Sequence, residues 1–285
     1  MKNLFEKYWN TEYSVTEWTF MKSSLSAIWL ICITYVLWFY KPIKYPLSFC
    51  KLIDCNITGL LAVKILLTIG AIISIVFYIQ EKHMRLSLCV ISVISIFVFT
   101  VSDSMGFYDR YDMISCVFIA QLLAYLFFSQ KNLAQRRVQF PIQAIAACYT
   151  MAAVNKLLTS GIDWAFKSEG LALQAKKGYM FSYADYGTLH PLYNANVFSQ
   201  FMLDYPLITE AFLIFSLLLE FCALVTIFDK RLAISCGVLL LIMHSGILVF
   251  INVFLFAVVP VAMIFLINPV YFVYIMINGF KNRGT

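Results

Sequence analysis

Residues 60–79 read Leu60-Leu-Ala-Val-Lys64-Ile-Leu-Leu-Thr-Ile-Gly-Ala-Ile-Ile-Ser-Ile-Val-Phe-Tyr-Ile79, an apolar run broken by a single charge. A helix of about 20 residues is roughly 30 Å long, the thickness of a bilayer's hydrocarbon core. Lipid offers the backbone no hydrogen-bonding partner, so a segment of this kind is helical if it crosses. The same pattern recurs on both sides, at about Ser24–Tyr40, Leu86–Val101, Met113–Phe128, Phe140–Leu158, Leu207–Phe228, Leu232–Phe250 and Phe254–Ile277. The sequence therefore predicts an all-α, polytopic transmembrane bundle of about eight spans. Pro260 and Pro269 fall inside the last span and predict a kink or an early end there.

The totals agree with this reading. Hydrophobic residues make up 62% of the 285-residue chain and charged residues 13%. A soluble domain carries about a quarter charged residues, and no soluble fold of this length buries so much apolar surface. Three parts are expected. Segment 1–23 mixes Trp9 and Trp18 with Glu6, Glu12 and Glu17 and reads as an interfacial stretch. Segment 24–280 is the transmembrane domain. Within it, 159–206 is a long outer-face loop, rich in Gly, Tyr, Asp and Asn, with enough aromatic residues to fold as a cap.

The net charge of +6 points to cytoplasmic loops rather than to nucleic acid. With the N-terminus inside, twelve Lys and Arg fall in inner segments and seven in outer ones, while Lys64 and Lys156 lie within spans. The expected location is the bacterial cytoplasmic (inner) membrane, multi-pass, with both termini cytoplasmic.

Ionisable side chains inside a bilayer are costly and mark candidate sites. Five qualify: Lys64, Lys156, Glu210, Glu220 and His244. Tyr149, Ala152, Ala153 and Lys156 share one helix face, whose small residues admit a neighbouring helix or a flat ligand. Two readings of Lys156 are open. It snorkels to the nearby interface, or it is held partly desolvated and serves as a base. His244 reads either as an interhelical hydrogen-bond partner or as a site residue. By depth, Glu210 is expected to meet Lys156 and His244, and Glu220 to pair nearer the inner leaflet. Lys64 reads as a snorkelling lysine.

Six of the eight cysteines sit in apolar runs as small hydrophobes. Cys50 and Cys55 share the first outer loop, close enough in sequence to form a disulfide or to stand as two free thiols. No Cys/His spacing suggests a metal, and no GxSxG, HExxH, P-loop or GxGxxG motif is present.

Several stretches resemble, in order, the core of the vitamin K-dependent γ-glutamyl carboxylase-like family, also called the horizontally transferred transmembrane domain family. They are Tyr149-Thr-Met-Ala-Ala-Val-Asn155-Lys156-Leu, Gly161-Ile-Asp-Trp164, Gly170-Leu-Ala-Leu-Gln174, Leu217-Leu-Leu-Glu220 with Asp229, and Met243-His244 opening the run to Phe265. The resemblance implies Lys156 as the base toward a vitamin K-like quinol, with His244 in the catalytic pair. It also implies a pocket of Tyr149, Asn155, Trp164, Glu210 and Glu220. The chain is similar to short bacterial members without an extramembrane domain, some of which mature a secreted peptide toxin. The expected partners are then the bilayer, a secreted peptide or small protein, and a companion maturation protein. The expected function is an enzyme that modifies that peptide at the outer face. The alternative is a non-catalytic membrane chaperone, immunity or export partner. A transporter ranks below both, because no pair of broken helices recurs in matching halves.

The charge asymmetry makes one direct prediction. In intact cells, membrane-impermeant thiol reagents should label single cysteines placed within 159–206 and should not label one placed near Thr285. Labelling near Thr285 reverses the orientation.

Overall fold

The computed structural model describes residues 8–10, 12–39, 50, 54–104, 111–186, 195–251, 253 and 255–281. Among these, every regular element is a helix. Helix α1 (Val15–Thr34) starts at Ser14, whose Oγ accepts from the Glu17 N–H, and ends in a π turn, Tyr35–Phe39. It begins well before Ser24, so part of the stretch expected at the headgroups is its first turns, with Trp18 and Met21 buried. Helices α2 (Leu61–Ile79) and α3 (Met84–Ser104) follow, then α4 (Asp112–Phe127) and the long α5 (Gln130–Ser160). Gly161, at φ 72°, takes the left-handed conformation that stops α5. Helices α6 (Ser168–Tyr186) and α7 (Ala195–Asp204) precede α8 (Pro206–Cys222), which a 3-10 turn prolongs to Ile227. Helix α9 (Lys230–Ile251), short α10 (Val258–Ala262) and α11 (Pro269–Lys281) complete the chain.

Five helices are long and apolar enough to cross a membrane: Val15–Phe39, α2, α3, Pro206–Ile227 and α9. A sixth crossing is available if Val258–Ile267 and Pro269–Asn278, bent by 44°, act together. The other two segments of the expected eight are also helices. However, α4 is shorter, at 16 residues, and α5 carries Gln143, Asn155 and Lys156 within its apolar stretch. The 159–206 segment differs from the expected loop, since its described residues are mostly helical. Leu171, Ala172 and Ala175 on α6, with Met202 on α7, pack against Ile247 and Ile251 of α9. Its polar content, which reads as loop, shares these helices with the buried apolar positions.

The bundle is built around aromatic contacts. Trp18 of α1 meets Tyr78 of α2, Tyr78 meets Phe118 of α4, and Phe118 meets Trp29 of α1, with ring centroids 5.8–6.4 Å apart. Their polar atoms are satisfied inside: the Trp29 indole donates to Ser95 Oγ (2.6 Å) and the Tyr78 hydroxyl to Gln121 (2.7 Å). The outside is the reverse of a soluble protein's. Only 22% of the apolar window of α2 is buried by the rest of the chain, and Leu66, Ile69, Ile72 and Ile73 face outward. A face of that size is stable against lipid, not water. The chain is therefore a helical, multi-pass membrane protein.

The bend expected from the prolines lies at Asn268, which takes φ 50° just before Pro269. Its side-chain amide donates to the Glu17 carbonyl (3.1 Å), which fixes the bend against α1. Close by, Gly237 lets α9 approach the π turn Met263–Ile267. A Cβ there would lie 2.7 Å from that of Leu266. At the Ser104 end of α3, Cys55 packs against Val101 and is joined to Cys50 by a disulfide, with Cα atoms 5.1 Å apart.

The α2–α3 turn is a charged hub. Glu81 accepts from Lys22 Nζ (2.9 Å) and from the Trp18 indole (2.8 Å), with Arg137 at 3.6 Å. Burial pushes this carboxyl up. The hydrogen bonds from Lys22 and Trp18, with the charges of Lys22 and Arg137, outweigh that effect and hold it below its ordinary 4.5. A carboxyl depressed in the folded state stabilises that state above its unfolded value, and the benefit is lost as pH falls through the folded value. Thermal unfolding in detergent should thus show a stability loss on acidification through the carboxylate range. Glu81→Gln should be less stable at neutral pH and should flatten that slope. An unchanged slope assigns the acid sensitivity to other carboxylates.

Candidate functional site

Helices α5, α8 and α9 place polar side chains toward a shared interior, α5 contributing several and α8 and α9 contributing Glu220 and His244. On α5, the run Ala152-Ala153 before Asn155-Lys156 leaves room beside the helix. The Lys156 ammonium donates to both Glu220 oxygens, at 2.6 and 2.7 Å, and lies 4.8 Å from the centroid of Trp164. The Lys156 side chain is 29% exposed and that of Glu220 7%. The Tyr149 hydroxyl pairs with His244 Nε2 at 2.8 Å, the donor being set by the imidazole tautomer. His244 is itself buried.

Snorkelling does not describe Lys156. Side chains on an α-helix lean toward its N-terminus. Lys156 lies one turn before the C-terminal end of α5, so its side chain leans away from that end and into the bundle. The partner it meets is Glu220, not Glu210. Glu210 lies three turns nearer the start of α8 and has no contact with Lys156 or His244 among the described residues. Lys156 and Glu220 therefore stand at one level of the bundle, and Glu210, ten positions away on α8, lies about 15 Å from that level along the helix axis. Lys64 does sit at an edge, 5.9 Å from the Trp38 ring, beside the cavity at Cys55.

Beside the ion pair lies a cavity of about 430 Å³. Tyr149, Asn155, Glu220 and His244 supply polar groups, and Met113, Met151, Leu255 and Val258 supply much of the apolar wall. Four of the seven residues predicted for the site line this cavity, Lys156 adjoins it through Glu220, and Trp164 touches Lys156. The sequence reading missed Asp112 and Cys148, which line the same cavity. Asp112 had a visible signal, an acid at the first position of an apolar helix. Cys148 had none, being one more cysteine in an apolar run. Among the described residues, no three His, Cys, Asp or Glu side chains gather to hold a metal ion.

The comparisons with known proteins leave the site to be read on its own geometry. No protein-family model matches the chain, and no curated protein or solved structure matches it. What the geometry provides is chemical. It holds a primary amine and a carboxylate in direct contact, a phenol–imidazole pair across the cavity, and an apolar wall that keeps their interactions strong. Removing one partner of such a pair strands the other, at a cost of about 3–5 kcal/mol when fully buried. The partial exposure of Lys156 reduces that figure. A double-mutant cycle on unfolding, with Lys156→Met and Glu220→Leu, should return a coupling of about 1–3 kcal/mol. Additive effects would remove the pair as a stabilising contact.

Proposed function

We infer that this chain is a membrane enzyme of the vitamin K-dependent carboxylase-like family. It modifies a secreted peptide or small protein at the outer face of the bacterial cytoplasmic membrane, with Lys156 as the base. The observation that carries the reading is the convergence of Lys156, Glu220, Asn155, Tyr149 and His244 on one cavity inside an apolar bundle. Such groups are costly in lipid and are ordinarily kept there for use. In this reading α4 and α5 also cross, giving eight segments. Both termini are cytoplasmic, α6 and α7 cap the outer face, and a companion maturation protein presents the substrate.

The residues fit a quinol. The cavity is mostly apolar with a few polar groups on its walls, the usual make-up of a site for a flat organic ligand. When bound, such a quinol supplies an ionisable hydroxyl and reducing equivalents. Tyr149 and His244 would bind and orient it, and Asn155 would add an amide. Lys156 must be neutral to act. Its proton can pass to Glu220 over the 2.6 Å contact, leaving an amine beside the cavity. Glu220, desolvated on the protein side, then holds that proton until Lys156 takes up another. The Trp164 face lies against the ammonium and covers one side of it.

The tight two-oxygen grip of Glu220 also favours a second reading. A permanently charged Lys156 is a structural bracket between α5 and α8, in a non-catalytic chaperone, immunity or export partner. Lys156→Arg separates the two. Arg reproduces a two-point contact with a carboxylate yet is not deprotonated in proteins. We expect secreted peptides to lose their chain-dependent mass change by about a hundredfold or more in Lys156→Arg and Lys156→Ala, the scale of a lost general base. Membrane insertion of Lys156→Arg should stay normal. Full activity in Lys156→Arg moves the assignment to the bracket.

A further inference from the structure

A second cavity, of about 840 Å³, opens at the far end of the bundle, between the α2–α3 turn and the α4–α5 junction. Its walls carry His83, Arg85, Ser129 and Arg137 beside Tyr125 and Phe128. One acid, Glu81, also lines it, but its carboxylate is already held by Lys22, Trp18 and Arg137. The two arginines are fixed in place. The Arg85 Nε donates to the Tyr125 carbonyl (3.0 Å), and the Arg137 guanidinium lies 4.7 Å from the Trp18 centroid. Arg137 is not fully used: its Nε is buried with no hydrogen-bond partner among the described residues. A buried guanidinium N–H without an acceptor is costly and calls for an anion. The backbone beside it is equally specific, with Glu81 and His83 both at positive φ, 56° and 48°.

We propose that this cavity binds a phosphate group, that of an anionic phospholipid headgroup. Two arginines positioned as forks suit a phosphate diester. The source is set by the surroundings. Leu86 lines the cavity, and Leu86, Leu126 and Phe127 are 49–74% exposed on the adjoining helices, where an acyl chain would run. The site also lies among the basic turns at the end of the bundle remote from Lys156, where a membrane's negative leaflet and basic side chains attract.

The test titrates the detergent-purified full chain with short-chain phosphatidylglycerol, phosphatidylcholine and inorganic phosphate, reading thermal unfolding and native mass spectra. Phosphatidylglycerol should bind roughly tenfold or more tighter than phosphatidylcholine, because both present a phosphate diester but the choline cation is repelled by Arg85 and Arg137. Arg137→Gln should abolish the preference. Because Arg137 also packs on Trp18, Ala134→Glu provides a second variant, placing an acid on the exposed rim while leaving every arginine contact intact. It too should abolish the preference. Equal binding of the two lipids, or a preference untouched by Ala134→Glu, overturns the proposal. Stabilisation by inorganic phosphate as strong as that by phosphatidylglycerol overturns the lipid assignment and makes the ligand a soluble phosphate.

Discussion

Buried charges in this bundle are closed on by other side chains, and much of the architecture follows from that. Among the described residues three carboxylates close on basic side chains in this way, Glu81 also facing Arg137. Lys156–Glu220 joins α5 to α8, Lys230–Glu17 joins α9 to α1 at 2.7 Å with both side chains almost fully buried, and Lys22–Glu81 joins α1 to the α2–α3 turn. In an apolar medium lipid-facing surfaces slide past one another at little cost, because lipid tails are as apolar as leucine. An ion pair cannot slide, since a displacement of one helical turn would strand both charges. Each pair therefore fixes the height of one helix against another.

The three pairs serve different ends of the molecule. Lys230–Glu17 and Lys22–Glu81 lie where α1 begins, with Tyr13 against the Lys230 ammonium and Asn268 donating to the Glu17 carbonyl. These contacts hold the broken α10–α11 segment to α1. Lys156 stands seventeen positions beyond Gln139 on α5, roughly 26 Å farther along the helix axis. All three pairs adjoin cavities, and the one lined by Glu220 carries a mostly apolar wall.

What could be read in the sequence divides along the same line. The helices were legible because lipid demands long apolar runs, and Leu60–Ile79 states that demand without ambiguity. The α6–α7 region was not, because its buried faces are short and shared with polar residues, so it resembles a loop in composition. Lys156 and His244 were legible as ionisable residues out of place among apolar ones, Tyr149 by sharing the Lys156 face, and Trp164 only through the family resemblance. Their pairing was less so. Choosing between Glu210 and Glu220 needed the relative heights of α5 and α8, which periodicity does not carry. Glu17 and Lys22 misled for a related reason. Near an N-terminus, charges alternating with tryptophans match an interfacial segment, whereas here each charge has a distant partner, Lys230 or Glu81.

The direction of lean also bears on what Lys156 is for. A lysine near a helix C-terminus that had only to reach water would gain nothing from Glu220, and the smaller cost would be to extend past Ser160. Instead it turns back along α5, gives up part of its solvation, and meets a carboxylate whose own burial is greater. An always-charged bracket would be served as well by arginine, whose planar fork matches a carboxylate better. Lysine is the basic side chain that can release its proton once desolvated. Its contact with a buried carboxylate gives that proton somewhere to go without crossing the apolar wall. The same two oxygens that tie α5 to α8 are thus in direct contact with the amine that the proposed chemistry needs.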